Sequence, residues 1–212
     1  MIDSHKIDYS KLDTLNVSRE TFLELDEFKE MILDENKKIN LISQHTEELA
    51  RDRHIIDCAQ IIDLIDENHL SCTDLGSGSG LPGLVIAIIK KKQKSKMKFF
   101  LYEKSFKKSN FLKKVINKFE LNAEVINQNI FDQKKLNSDL IVARAFKPLP
   151  VILDLVTNNF DDFKDIILFL GKSGKSSIEQ CLQNWNLEFI EKKSVTEKDS
   201  IIIKINKASK KK

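Results

Sequence analysis

Apolar positions along the chain follow two rhythms, and the change comes near residue 71. Between 18 and 65, Phe22, Leu25, Phe28, Ile32 and Ile39 recur three, four or seven residues apart. That spacing gathers side chains on one face of a helix, so the stretch is expected to be mainly helical. It holds no glycine or proline, and Ser18 followed by Thr21 offers capping chemistry at its start. Beyond 71, short β-type runs alternate with helical ones: strands are expected over 71–75, 98–103, 124–127, 139–143 and 165–170, and helices over 84–93, 106–119, 149–158 and 176–184. Alternation of this kind builds βαβ units around a mostly parallel sheet. Two last runs, 187–192 and 200–205, follow one another with no helix between them, and so short a connection favours an antiparallel hairpin at the end of the sheet. The expected organisation is a helical extension over 1–70, an α/β sheet domain over 71–207 and a basic tail over 208–212.

Length changes this picture little, since 212 residues suit one well-buried α/β domain with an appendage. Charge is informative only through its distribution: 35 basic and 32 acidic residues leave a net +3, but the basic ones crowd into 90–98, 104–118 and 207–212 while acids dominate much of the N-terminal third. Each cluster can be a solvated face or a surface for nucleic acid. The three cysteines, Cys58, Cys72 and Cys181, are scattered and form no C-x-x-C pair, which argues against a disulfide framework and against zinc. The longest apolar run, 84–89, is far too short to span a bilayer, and no apolar leader opens the chain. A soluble cytoplasmic protein with no membrane association is expected.

The strongest chemical signal is Asp74-Leu75-Gly76-Ser77-Gly78-Ser79-Gly80-Leu81-Pro82-Gly83, between an expected strand and an expected helix. Glycines there let the backbone turn sharply and approach a ligand without a Cβ in the way, so Gly76 and Gly78 are the first candidate cofactor contacts. Asp74 either orients this loop, accepts a hydrogen bond from a cationic amino-acid head group, or simply caps the following helix. Leu81 stands where the third glycine of the dinucleotide fingerprint belongs, which weakens a nicotinamide reading. An acid ending the next strand would grip the ribose hydroxyls of an adenosine, and Glu103 follows Phe99-Phe100-Leu101-Tyr102 in that place; otherwise it is an exposed strand-end acid.

Other patterns carry less. Gly171-Lys172 and Gly174-Lys175 lack the glycine five residues upstream that a Walker A loop needs, because Ile166 and Phe169 stand there. His54 and Asp57 share a helix face, but no second ligand pair accompanies them, so no metal is expected and hydrogen bonding between domains is the better reading. Asn40 and His54 are polar positions within apolar helical patterns, suited either to substrate specificity or to a buried structural network.

Four segments, in order, resemble the glucose-inhibited division protein B family, the methyltransferase G enzymes that modify a guanine N7 of small-subunit (16S) ribosomal RNA. They are Lys38-Ile39-Asn40-Leu41 with Arg53-His54-Ile55-Ile56-Asp57; the loop from Asp74 to Gly83, whose Leu-Pro-Gly extension is its most diagnostic part; Glu103-Lys104-Ser105-Phe106-Lys107-Lys108-Ser109-Asn110-Phe111-Leu112; and Ala143-Arg144-Ala145-Phe146-Lys147-Pro148-Leu149-Pro150. The resemblance implies a class I (Rossmann-like) methyltransferase fold, S-adenosylmethionine as cofactor, and small-subunit ribosomal RNA or a ribosomal particle as partner of a monomer. It places Gly76, Leu81, Ile130, Phe131 and Arg144 at cofactor-binding positions. Ile130 and Phe131 follow the third expected strand, where they can flank an adenine or pack in the core. Three positions depart from the family pattern: Glu103 replaces an aspartate, Asn129 stands where arginine is common, and a leucine-lysine-glycine element is present only as Leu170-Gly171-Lys172.

Guanine N7 carries an in-plane lone pair, so its methylation needs no general base, in keeping with the lack of a paired-acid or His-Asp constellation. Positioning is the expected catalytic task, with Arg144 holding cofactor or substrate and Lys107, Lys108 and Lys172 contacting RNA. Two other classes compete: a nicotinamide-dependent oxidoreductase, opposed by the loop spacing and the terminal hairpin, and a non-catalytic RNA-binding module, opposed by the cofactor-type loop.

Overall fold

The Oγ of Ser18 accepts a hydrogen bond from the Thr21 backbone N–H at 3.3 Å and so caps the first helix, α1 (Arg19–Asn36), as its sequence predicts. The structure, a computed structural model, describes residues 17–211; residues 1–16 of the expected extension and Lys212 of the expected tail lie outside the described residues. Phe22, Leu25, Phe28 and Ile32 are buried along one face of α1. The helical pattern does not continue to 65. At the end of α1 the Oδ1 of Asn36 accepts from the N–H groups of Leu41 and Ile42, at 2.7 and 3.0 Å, while its amide donates to Glu47 Oε1 at 2.5 Å. A side chain that satisfies those backbone donors removes the need for a continuing helix. Short turns follow: Gln44–Thr46, a π-helical segment Arg51–Ile56 running into α2 (Asp57–Ala59), and Ile62–Leu64. Asn40 is exposed, whereas Asn36 and His54 are buried.

The sheet has seven strands: β1 (Ser71–Leu75), β2 (Lys98–Tyr102), β3 (Ala123–Ile126), β4 (Leu136–Arg144), β5 (Phe160–Leu170), β6 (Trp185–Lys193) and β7 (Ile201–Lys210), in the order β3-β2-β1-β4-β5-β7-β6. The first five run parallel and β7 pairs antiparallel with both β5 and β6, which is the expected terminal hairpin. Helices α3 (Gly83–Lys92), α4 (Phe106–Phe119), α5 (Leu149–Asn159) and α6 (Gly174–Asn184) connect the strands. The apolar run of α3 is buried from Leu84 to Ile89 because it shares one core with the inner face of α1 and with Cys72, Leu101 and Leu140 of the sheet. A second core, on α5, α6 and Trp185, covers the other face. Covering both faces of a parallel sheet is what makes its inner strands continuous apolar runs.

β5 begins earlier than its sequence suggests, since Phe160, Asp162 and Phe163 pair with Leu136, Asn137 and Ser138 of β4 despite their mixed polarity. The expected basic tail instead continues β7. Ala208, Ser209 and Lys210 pair with Leu187, Asn186 and Trp185, and the Lys210 ammonium lies over the Trp185 ring and 2.6 Å from Asp154. An aromatic face and a carboxylate make that lysine a strand residue. Strand order reverses between β1 and β4, so the carboxyl ends of the strands there open a crevice where ligands of such sheets bind.

Candidate active site

The glycine loop leaves β1 at this crevice. Gly78 sits at φ +57°, and a Cβ there would meet only Gly76 O at 3.8 Å, so bare backbone faces the open space. At the loop's end, a Cβ on Gly83 would fall 2.6 Å from Asp74 Oδ2. The missing side chain lets the Gly83 N–H donate to that oxygen at 3.1 Å, tying the start of α3 to the end of β1. Asp74 is therefore turned into the loop and does not line the cleft. Burial pushes its carboxyl up to about 7, with the Gly83 N–H pulling the other way, and its Oδ1 has no hydrogen-bond partner among the described residues. A carboxyl raised above its ordinary 3.8 contributes stability that is fully present below about pH 4 and is lost as pH rises through about 7. Asp74→Asn keeps an acceptor for Gly83 and cannot ionise. It is expected to stabilise the protein at pH 8 by on the order of 3 kcal/mol and hardly at pH 4, as read by urea unfolding at the two values; equal effects at both would show that ionisation is not the cost.

Glu103, just beyond β2, lines the same crevice. It is only 8% exposed, with Oε2 accepting from the Gly78 N–H at 3.0 Å and Oε1 from the Ser105 N–H at 2.7 Å. Its backbone oxygen accepts from Ser109 Oγ and Asn127 Nδ2, at 2.9 and 2.8 Å, so α4 and the end of β3 hold the acid in place. Each carboxylate oxygen has acceptor capacity beyond its one backbone donor.

Opposite Glu103, Arg144 at the end of β4 enters a clamp built by the extension. Its Nε donates to Asp57 Oδ2 at 3.0 Å and its Nη2 to Arg53 O at 2.7 Å. Nη2 also donates to His54 Nδ1 at 3.2 Å, since a guanidinium has no acceptor. Burial, and then Arg144 itself, push His54 down to about 4, so the imidazole is neutral. With Nδ1 accepting, Nε2 carries the proton and donates to Thr46 Oγ1 at 2.9 Å, which donates to Ser43 O at 2.7 Å. Asp57 Oδ1 meanwhile accepts from Thr196 Oγ1 at 2.7 Å and Gln60 Nε2 at 2.8 Å, and Arg53 pairs with Glu197. The connection between β6 and β7 is thus latched to the extension through Asp57 and through the Arg53–Glu197 pair. The spacing of His54 and Asp57 suits hydrogen bonding between domains, which both make to Arg144, but nothing in the sequence marks Thr46, Thr196 or Glu197.

The resulting cleft of about 640 Å3 is lined by Gly76, Gly78, Leu81, Glu103, Lys108 and Arg144, with Lys172 at the far side. It does not gather every candidate. Ile130 is buried, and its carbonyl and that of Phe131 accept from the amide of Asn159, at 3.4 and 3.2 Å. The Phe131 ring stacks on Phe146 with centroids 5.9 Å apart and planes at 24°. Asn129 caps this turn, accepting from the Phe131 N–H at 3.4 Å. Lys107 and Lys172 are exposed and, like Lys108, form no ion pair among the described residues. By contrast Lys92, Lys114 and Lys118 are matched to Glu24, Glu35 and Glu27 of α1. No group of three or more His, Cys, Asp or Glu that could hold a metal occurs among the described residues, and no helix there is long and apolar enough to cross a membrane. The bare Gly78 backbone, the Glu103 acceptors and the cleft volume fit an adenosine-type cofactor, within the about 300–1,000 Å3 of small-molecule sites.

Comparison with known proteins agrees. The family described as rRNA small subunit methyltransferase G matches residues 22–204. Ribosomal RNA small subunit methyltransferase G of Pelagibacter ubique is 50% identical over 205 residues, covering 96% of this chain and 96% of its own. The protein of that name from Bartonella henselae is 37% identical, covering 90% and 89%. Among solved structures, a SAM-dependent methyltransferase from Aquifex aeolicus shares the fold with a TM-score of 0.56 at 12% identity, over 85% of this chain and 97% of that one. M. capricolum TrmK, solved in complex with S-adenosyl-homocysteine, gives a TM-score of 0.52 at 19% identity, over 79% of this chain and 70% of that one. With its sheet order, its glycine loop and these relatives taken together, the chain belongs to the rRNA small subunit methyltransferase G family.

Proposed function

We propose that the protein transfers a methyl group from S-adenosylmethionine to N7 of a guanine in small-subunit (16S) ribosomal RNA. The observation that carries this reading is one cleft with the bare glycine loop and Glu103 on one side and the clamped Arg144 on the other, in a chain of this family. The cofactor supplies a methyl group on a cationic sulfur, an electrophile that needs no activation by the protein. Gly76, Gly78 and Leu81 hold it from the loop side, Glu103 takes its ribose hydroxyls, and Ile130 and Phe131 border its adenine. Asp74 acts one step away by fixing the loop through Gly83. Arg144 positions the reacting groups, and the cleft's geometry supplies the rate.

Lys107, Lys108 and Lys172 carry the RNA contacts, because these cations, of which Lys108 and Lys172 line the cleft, are free of the acids that neutralise their neighbours near α1. Lys107→Ala with Lys108→Ala is expected to lower RNA affinity and to flatten its log–log salt dependence by about 1.4, at roughly 0.7 per single-strand phosphate contact. An unchanged slope in filter binding at several salt concentrations would remove both lysines from the interface. The remaining assignments are a cytoplasmic monomer, small-subunit ribosomal RNA or a ribosomal particle as the substrate, and an extension over 1–70 whose Arg53, His54 and Asp57 hold Arg144 of the catalytic unit 71–207. The test is transfer of labelled methyl groups to small-subunit rRNA, naked and in unmodified particles, with the product base identified. N7-methylguanine at one site is expected; no transfer to either form would remove the rRNA assignment.

A further inference from the structure

Beside the cofactor cleft lies a second hollow of about 280 Å3, lined by Ala145, Phe146, Lys147, Pro148, Phe169 and Leu170 among others. It shares Ala145, Phe169 and Leu170 with the larger cleft, so the two abut at the carboxyl ends of β4 and β5. Its volume falls below that of pockets for drug-sized ligands, about 300–1,000 Å3, and is on the scale of a single nucleobase. Two local features shape it. Ala145 adopts φ +50°, a left-handed conformation that costs an alanine roughly 1 kcal/mol or more. This turn lets Arg144 enter the Asp57 clamp while the next side chain, Phe146, lines the hollow. The Phe146 ring also leans on the glycine loop, where a Cβ on Gly76 would lie 2.4 Å from its Cδ2, and it is backed by the stack with Phe131. Lys147, exposed and without an ion pair among the described residues, adds a cation at the rim.

We propose that this hollow receives the acceptor purine turned out of the RNA strand, with Phe146 as its stacking platform. The inference rests on the methyl-transfer reading above and adds the subsite for the base. An attacking ring nitrogen must come within roughly 3–3.5 Å of the transferred carbon, which requires a base site abutting the cofactor cleft. Enzymes that act on a base extrude it and read it between aromatic and apolar side chains, and a ring face serves any purine. Lys147 then meets the phosphate of the extruded nucleotide.

The experiment uses the full chain with Phe146→Leu, which keeps apolar volume and loses the ring face, and Phe146→Tyr, which keeps the ring. The readouts are calorimetric affinity for S-adenosylmethionine, kcat/KM for unmodified small-subunit rRNA, and quenching of 2-aminopurine riboside in the presence of S-adenosylhomocysteine. For Phe146→Leu, cofactor affinity within about 2-fold of the parent, kcat/KM lower by on the order of 10-fold, and loss of the quenching are expected, with Phe146→Tyr restoring both of the latter. A parallel loss of cofactor affinity would assign the ring to the cofactor cleft and overturn the proposal, as would unchanged turnover and quenching. Parent protein that quenches the riboside through Phe146 yet methylates no rRNA would leave the base site standing and remove the rRNA assignment alone.

Discussion

Arg144→Ala is expected to lower kcat/KM for methyl transfer by about 100-fold, the scale of loss when reacting groups are misplaced by about 1 Å. The side chain is held by three acceptors from the extension: Asp57 Oδ2 at 3.0 Å, Arg53 O at 2.7 Å and His54 Nδ1 at 3.2 Å. Such a guanidinium has little rotational freedom left to lose on binding, so its removal takes away a preorganised group and not a floppy contact. Stability should fall by no more than about 1–3 kcal/mol, because Asp57 keeps Thr196 at 2.7 Å and Gln60 at 2.8 Å as donors. Asp57→Asn should reproduce much of the activity loss, and adding Arg144→Ala to it should cost less than the sum of the two, since both substitutions remove the Arg144–Asp57 contact. Steady-state kinetics on the single and double variants, with thermal unfolding alongside, checks this. Full activity in Arg144→Ala would sink the positioning role, and strict additivity would sink the shared clamp.

Glu103→Ala should weaken S-adenosylmethionine binding by about 100-fold, since hydrogen bonds to a charged acceptor are worth about 1.5–3 kcal/mol each. Part of that loss comes through the loop, because Glu103 also accepts from the Gly78 N–H at 3.0 Å and the Ser105 N–H at 2.7 Å. Glu103→Gln keeps one acceptor oxygen and should fall between the parent and Glu103→Ala. Glu103→Asp shortens the acid, which is then expected to give up either the loop or the ribose. Calorimetric titration of each variant separates these outcomes, and parent-like affinity in Glu103→Ala would remove the ribose role.

The glycine loop and Glu103 were legible in the sequence because the determinants are local. Ten consecutive residues dictate the turn, and the acid is placed by the strand that precedes it. β1 runs over 71–75 and α4 over 106–119 as expected, each set by its own apolar period. Beyond Asn36 the same reasoning failed, since the period continues in the residues but one buried amide redirects the backbone. Tertiary pairing likewise overruled local polarity at the start of β5 and at the end of β7.

The sequence by itself determined the alternation of elements, the sheet's closing hairpin and the chemistry of the cofactor loop, because each depends on neighbours within a turn or a strand. Only the tertiary structure decided that Arg144 meets Asp57 across 87 positions, that Thr196 latches the β6–β7 connection to that aspartate across 139, and that Phe146 settles between the glycine loop and Phe131. Polar partners and ring contacts so far apart have no periodicity to announce them. They are selected when the sheet's two faces are covered and each buried donor must find an acceptor within reach.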